Sequence, residues 1–177
     1  MEILKKLNKE LKEYLDTLSE VLTNNLISLL NGENITYLDG KPRSDIAAFN
    51  FEYLHDYLNI TFFGTDKDGM IITKELKLPI NDKKIMLLPD AIWDKINEIE
   101  ANDEDDELEE SLEEYNEEKN EIFESWFTDC WTAASEKFED PVTAYFSMSE
   151  MDSGIELNSL DMVEIIKDKT NMRRYIE

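Results

Sequence analysis

The apolar residues of this chain recur with two different periods, and the change between them marks out its parts. From the start, Ile3, Leu4, Leu7, Leu11, Leu15, Leu18, Leu22, Leu26, Leu29 and Leu30 return every three or four positions with Lys and Glu between them. That spacing lines one face of a long α-helix, and Asn31-Gly32 supplies its stop. The stripe needs a partner. A core is a better one than a membrane surface, because Glu10, Glu13, Asp16 and Glu20 interrupt the basic face that a surface-lying helix would present.

After Asn34 the period shortens. Ile35, Tyr37 and Gly40-Lys41-Pro42 suggest a short extended piece and a turn, after which Ala47, Phe49, Phe51 and Tyr53 alternate with Ala48, Asn50 and Glu52 as in a strand. The β-branched and aromatic run 57–64 and the alternating run 70–78 follow, joined through an Asp68-Gly69 hairpin signal. Ile85 to Leu88 is a further short candidate. This part of the chain reads as an antiparallel meander.

Pro89-Asp90 then opens a second helix carrying Ile92, Trp93, Ile96 and Ile99, since proline and an early acid suit a helix N-terminus. Dense like charge at Glu100 to Asp106 opposes helix formation, so a flexible acidic connector is expected at 100–107. A third helix runs on to about Phe138, its first half almost solid carboxylate and its second half carrying Phe123, Trp126, Phe127 and Trp131 at helical spacing. The aromatic half reads as core and the acidic half as wet. Pro141 ends the helix. Val142 to Met148 reads as a strand, 155–157 and 162–166 as a second hairpin, and Lys167 to Glu177 as a polar tail.

The sum is an α+β fold in which an antiparallel sheet of about five to six strands carries the long N-terminal helix and the long acidic-to-aromatic helix on one face. A chain of 177 residues with 41% apolar and 10% aromatic content can build one such core, so 1–177 is read as a single domain.

Charge then narrows the function classes. A formal net charge of −24 repels nucleic acids and anionic membrane surfaces and speeds encounter with basic partners. The single cysteine, Cys130, lies among helical apolar residues and reads as a buried structural thiol in a reducing, cytoplasmic setting. The N-terminus has charges throughout, neither a secretion signal nor a membrane span.

Candidate chemistry is sparse. His55 and Cys130 are the only histidine and cysteine, so one Cys-His dyad is conceivable, and it would need a strand turn to meet the buried face of a distant helix. A surface turn, or a cross-strand contact with Tyr57, suits His55 better. Asp66-Lys67-Asp68-Gly69 lacks the alternating ligands and closing glutamate of a calcium loop and reads as a turn. No cofactor or metal site is expected. Carboxylates are too abundant for any pair to stand out as a hydrolase's acid and base.

What remains is the acidic helix itself. Asp105, Asp106, Glu109, Glu110, Glu113, Glu114 and Glu117 are the candidate partner-binding residues, set against the plain alternative of a solvated face. The reading favoured is a non-enzymatic protein-binding protein, most concretely an acidic immunity-type inhibitor that occludes a basic toxin such as a nuclease, acting as a monomer or weak homodimer. A self-associating scaffold built on the leucine stripe is the alternative, and a carboxylate-pair hydrolase the third.

Overall fold

The leucine stripe forms α1 (Glu2–Leu30), whose Leu11, Leu15, Leu22, Leu26 and Leu29 are wholly buried. At about 1.5–3 kcal/mol for each fully buried leucine, this face is among the largest single contributions to the fold. Its end is a Schellman motif: Gly32, at φ 81°, donates to the Leu29 carbonyl at 2.8 Å and Glu33 donates to Ser28 at 2.9 Å. The structure, a computed structural model, describes residues 2–80, 87–101, 106–167 and 173–176.

Seven strands follow among the described residues: β1 (Ala48–Tyr53), β2 (Ile60–Thr65), β3 (Leu76–Leu78), β4 (Thr143–Met148), β5 (Ser153–Glu156), β6 (Asp161–Lys167) and β7 (Arg173–Ile176). Two helices, α2 (Asp90–Ala101) and α3 (Asp106–Ser135), lie between β3 and β4 in the chain. The strands make one sheet in the order β3-β2-β1-β4-β5-β6-β7, antiparallel throughout except for the central pair β1 and β4, which run parallel with Phe51 opposite Phe146. The α+β class expected from the sequence is the class observed.

Strand alternation places Phe49, Phe51 and Tyr53 of β1 on one side of the sheet, together with Ile60 and Phe62 of β2 and Phe146 of β4. This side meets the aromatic half of α3. Phe127 stacks on Phe146 at 4.0 Å between ring centroids, and Phe51 lies 5.1 Å from Phe127 and 5.7 Å from Trp131. Helix α3 also packs on α1, where Trp126 Nε1 donates to Ser19 Oγ at 2.9 Å. Cys130 is buried at the same seam, as expected of a structural thiol. The other side of the sheet is not open either: Asn50, Phe63, Ser147, Val163 and Ile165 are buried there.

Two local readings differ from the structure, at 70–78 and in the C-terminal stretch. Residues 70–78 are not one strand. Thr36 takes the backbone donor of Lys74, and Gly64 donates to the Thr73 hydroxyl at 2.7 Å, so 70–73 makes only isolated bridges and β3 shrinks to three residues. The polar C-terminal stretch contains β7. Glu100 and Ala101 close α2, and α3 has begun by Asp106, while 102–105 lie outside the described residues, so the expected connector at 100–107 falls partly on them. Of the short candidate at Ile85 to Leu88, residues 85 and 86 lie outside as well, and Leu87 and Leu88 are buried. Among the described residues no helix is long and apolar enough to cross a membrane.

Candidate functional site

The parallel central pair opens the site. Strands β1 and β4 end side by side, with Tyr53 opposite Met148, and from there the chain turns in opposite directions, from β1 outward to β2 and from β4 outward to β5. Such a divergence beyond the carboxyl ends of parallel strands leaves a crevice that neither loop can fill, as it does in open α/β sheets. Here the crevice has a volume of about 740 Å³.

Three segments line it. Leu54, His55, Asp56 and Tyr57 come from the β1–β2 loop, Met148 to Met151 from the β4–β5 turn, and Glu113, Asn116, Glu117 and Asn120 from α3. The four α3 positions follow the i, i+3, i+4, i+7 rule and therefore share one face. The β1–β2 loop is pinned by Leu58, which is wholly buried and holds a left-handed φ of 56°. A bulky side chain tolerates that backbone region only where packing compensates, and the buried Leu58 supplies the packing. The outer wall is apolar and wet: Leu54, Tyr57 and Met151 are 48%, 39% and 50% exposed, and the Tyr57 ring rests on Trp93 of α2 at 4.8 Å.

Polar groups lie behind that wall. His55 Nδ1 meets Asn120 Nδ2 at 3.2 Å. The contact ties the loop to α3, in place of the free turn or cross-strand contact expected of this histidine. Burial pushes the His55 imidazole below its ordinary range and the nearby Lys119 charge pushes the same way, while Asp56 and the Asn120 contact oppose them. Lys119 is itself only 4% exposed, and its Nζ donates to Asn116 Oδ1 at 2.9 Å and lies 5.9 Å from the Tyr115 ring centroid. Desolvation brings its pKa down to about 8, against the pull of Asp56 and Glu100. The Tyr115 phenol, buried and without a hydrogen-bond partner among the described residues, is pushed up to about 12, mainly by that burial and also by Glu100.

The predicted acidic face is where the periodicity put it. Glu109, Glu110, Glu113, Glu114 and Glu117 are all exposed, and none makes an ion pair among the described residues. Asp106 begins α3, and Asp105 lies outside the described residues. Glu113 and Glu117 alone among the predicted residues also line the crevice. Sequence reasoning missed the rest of that lining, including His55, Asn116, Asn120 and Tyr57.

Among the described residues neither the Cys-His dyad nor a calcium loop at Asp66 is assembled. Cys130 sits ten positions beyond Asn120 on α3, about 15 Å along the helix axis, so His55 and the thiol are at different places on the molecule. Asp66 Oδ1 accepts from the backbone of Asp68 at 3.0 Å and of Met70 at 2.9 Å, and its other oxygen lies 3.6 Å from Lys41 Nζ, as in a hairpin turn. Among the described residues no group of three or more His, Cys, Asp or Glu side chains is placed to hold a metal ion. No protein-family model matches the chain, and the searches of curated proteins and of solved structures found no significant match.

Proposed function

We propose that this protein binds and occludes a basic protein without catalysing a reaction, most concretely as an immunity-type inhibitor of a basic toxin such as a nuclease. One observation carries the reading: the carboxylate ridge of α3, without ion pairs among the described residues, runs directly into a partly apolar crevice, the two sharing Glu113 and Glu117. A ridge of like charge raises the rate of encounter with a basic surface and gives little residence time by itself. Exposed Leu54, Tyr57 and Met151 beside it provide apolar anchors that water-excluding contact requires. The lack of cations on the ridge among the described residues also supports the reading, because no such ion pair would have to break on association.

In this reading the protein works as a monomer or weak homodimer in the cytoplasm, where its one buried thiol stays reduced, and it needs neither cofactor nor metal. The experiment is to capture the partner on the immobilised protein at low salt and follow association by surface plasmon resonance. A variant carrying Glu109→Lys, Glu110→Lys, Glu113→Lys and Glu114→Lys is expected to associate at least about tenfold more slowly at low salt, with the difference shrinking as ionic strength rises. An unchanged on-rate and affinity would remove the ridge from the function.

A further inference from the structure

The crevice is more specific than the ridge that feeds it. Asp56, Glu113, Glu117 and Glu150 contribute four carboxylates to its lining. The same lining includes the aromatic ring of Tyr57 and the apolar side chains of Leu54, Met148 and Met151. The buried cation Lys119 already donates to the Asn116 side-chain Oδ1. At about 740 Å³ the space lies within the usual range of ligand pockets and exceeds a single side chain. Nothing of this composition suits an anion, since four carboxylates would repel it, and a purely apolar ligand would strip water from them without replacing it.

We infer that the crevice is the docking site for an arginine-bearing segment of the basic partner, with the guanidinium taken by the Glu113 and Glu117 carboxylates over the face of Tyr57. The inference rests on the protein-binding reading and names the chemistry of the partner at that site. Arginine fits better than lysine for three reasons. Its planar fork of N–H donors can serve two carboxylates at once, whereas an ammonium is a point charge. Its weakly hydrated plane stacks on an aromatic face, and Tyr57 is held in place by Trp93 behind it. Its methylene stem needs an apolar wall, which Leu54 and Met151 supply. Glu113 and Glu117 are one helical turn apart on the same face of α3, so the same exposed surface presents both.

The test uses the full chain and no partner. Nα-acetyl-arginine amide, the matching lysine compound, and the neutral isostere Nα-acetyl-citrulline amide are titrated into the protein and followed by NMR. The readouts are the side-chain amides of Asn116 and Asn120 and the imidazole of His55, which is unambiguous because the chain has one histidine. The arginine compound is expected to move these signals saturably, and citrulline to bind at least about tenfold more weakly because it keeps the shape and loses the charge. Glu113→Gln with Glu117→Gln, both exposed on a helix and so safe for folding, should weaken arginine at least about tenfold, while Glu109→Gln with Glu110→Gln should not.

Equal binding of citrulline and arginine, a lysine compound binding as tightly as arginine, an equal effect of the two glutamine pairs, or no saturable shift overturns the inference. Its failure is distinguishable from that of the parent reading. If the arginine compound does not bind but Glu109→Lys, Glu110→Lys and Glu114→Lys, at the ridge positions outside the crevice lining, still slow partner association, only the crevice assignment falls. If arginine binds in the crevice and partner association ignores those three substitutions, the ridge reading falls instead.

Discussion

The Tyr53 hydroxyl, at the end of a central strand, donates to Glu124 Oε1 on α3 at 2.7 Å. The bond fixes the helix to the sheet immediately before the loop that carries His55. It also brings a carboxylate into a largely buried place. Burial raises the Glu124 pKa above the ordinary carboxylate range and Glu121 adds to the effect, while the Tyr53 bond pulls the other way.

A carboxyl whose folded pKa is raised contributes most to stability below its unfolded value of about 4.3, and that contribution is lost as pH rises through the folded value. Glu124→Gln keeps an acceptor for Tyr53 and removes the charge. Its melting temperature should therefore exceed that of the parent at neutral pH, with the gain vanishing toward about pH 4. Tyr53→Phe leaves the buried carboxylate without its donor and should cost about 1–3 kcal/mol at neutral pH by urea denaturation. If Glu124→Gln destabilises as much as Tyr53→Phe, the negative charge stabilises the fold and desolvation does not dominate at that carboxylate.

His55 gives a second pH signature. Its folded pKa is depressed, so its neutral form supports the fold above the unfolded value of about 6.5, and that support is lost as pH falls through the folded value. The NMR titration midpoint of the single imidazole should lie below the ordinary value. Lys119→Met removes a repelling cation and should move the midpoint up, whereas Asp56→Asn removes an attracting anion and should move it down. Shifts in the opposite directions would mean that these charges do not face the imidazole as described.

Screening tests the carboxylate ridge without a partner. Like charges at i, i+3 and i+4 along Glu109, Glu110, Glu113, Glu114 and Glu117 destabilise α3 by a few tenths of a kcal/mol per pair at low salt. The melting temperature should rise between low salt and about 0.15 M, where the Debye length is about 8 Å. A variant carrying Glu110→Gln and Glu114→Gln should start higher and gain less. Identical salt responses would mean that the repulsion is relieved elsewhere in the molecule.

Gly154 in β5 is required by space. A Cβ there would lie 2.8 Å from the Phe146 carbonyl oxygen and 2.9 Å from both Ile165 Cδ1 and Ser147 Cβ. The first of these is backbone and cannot swing away. Gly154→Ala should cost about 1–3 kcal/mol in chemical denaturation. A neutral substitution would mean that β4 and β5 separate more easily than this spacing implies.

Much of this architecture is legible in residue order. The leucine stripe and the aromatic half of α3 are set by a period that a helix alone satisfies, and Phe49, Phe51 and Tyr53 by the alternation of a strand. The ridge follows from the same arithmetic. The crevice does not, because it is assembled from three segments that only the parallel pairing of β1 and β4 brings together, and a parallel pair leaves no turn signal between its strands. Lys119 shows the limit more finely. Amid Asn116, Glu117, Glu118 and Asn120 it reads as solvated, yet it stands four positions after Tyr115 and four before Phe123, on the face that those rings bury. Helical spacing could have found it, while composition concealed it.

That same parallel pair sets the order in which the molecule can be completed. When β1 leaves the ribosome, only β2 is soon available to it, and its other edge waits for Thr143 and the residues after it. At ordinary synthesis rates the wait is on the order of ten seconds, during which α2 and the carboxylate half of α3 emerge first. The nascent chain therefore carries an unpaired, phenylalanine-rich strand edge together with a growing block of negative charge. Mutual repulsion between neighbouring nascent chains then guards against edge-to-edge association during the interval when the sheet is half built.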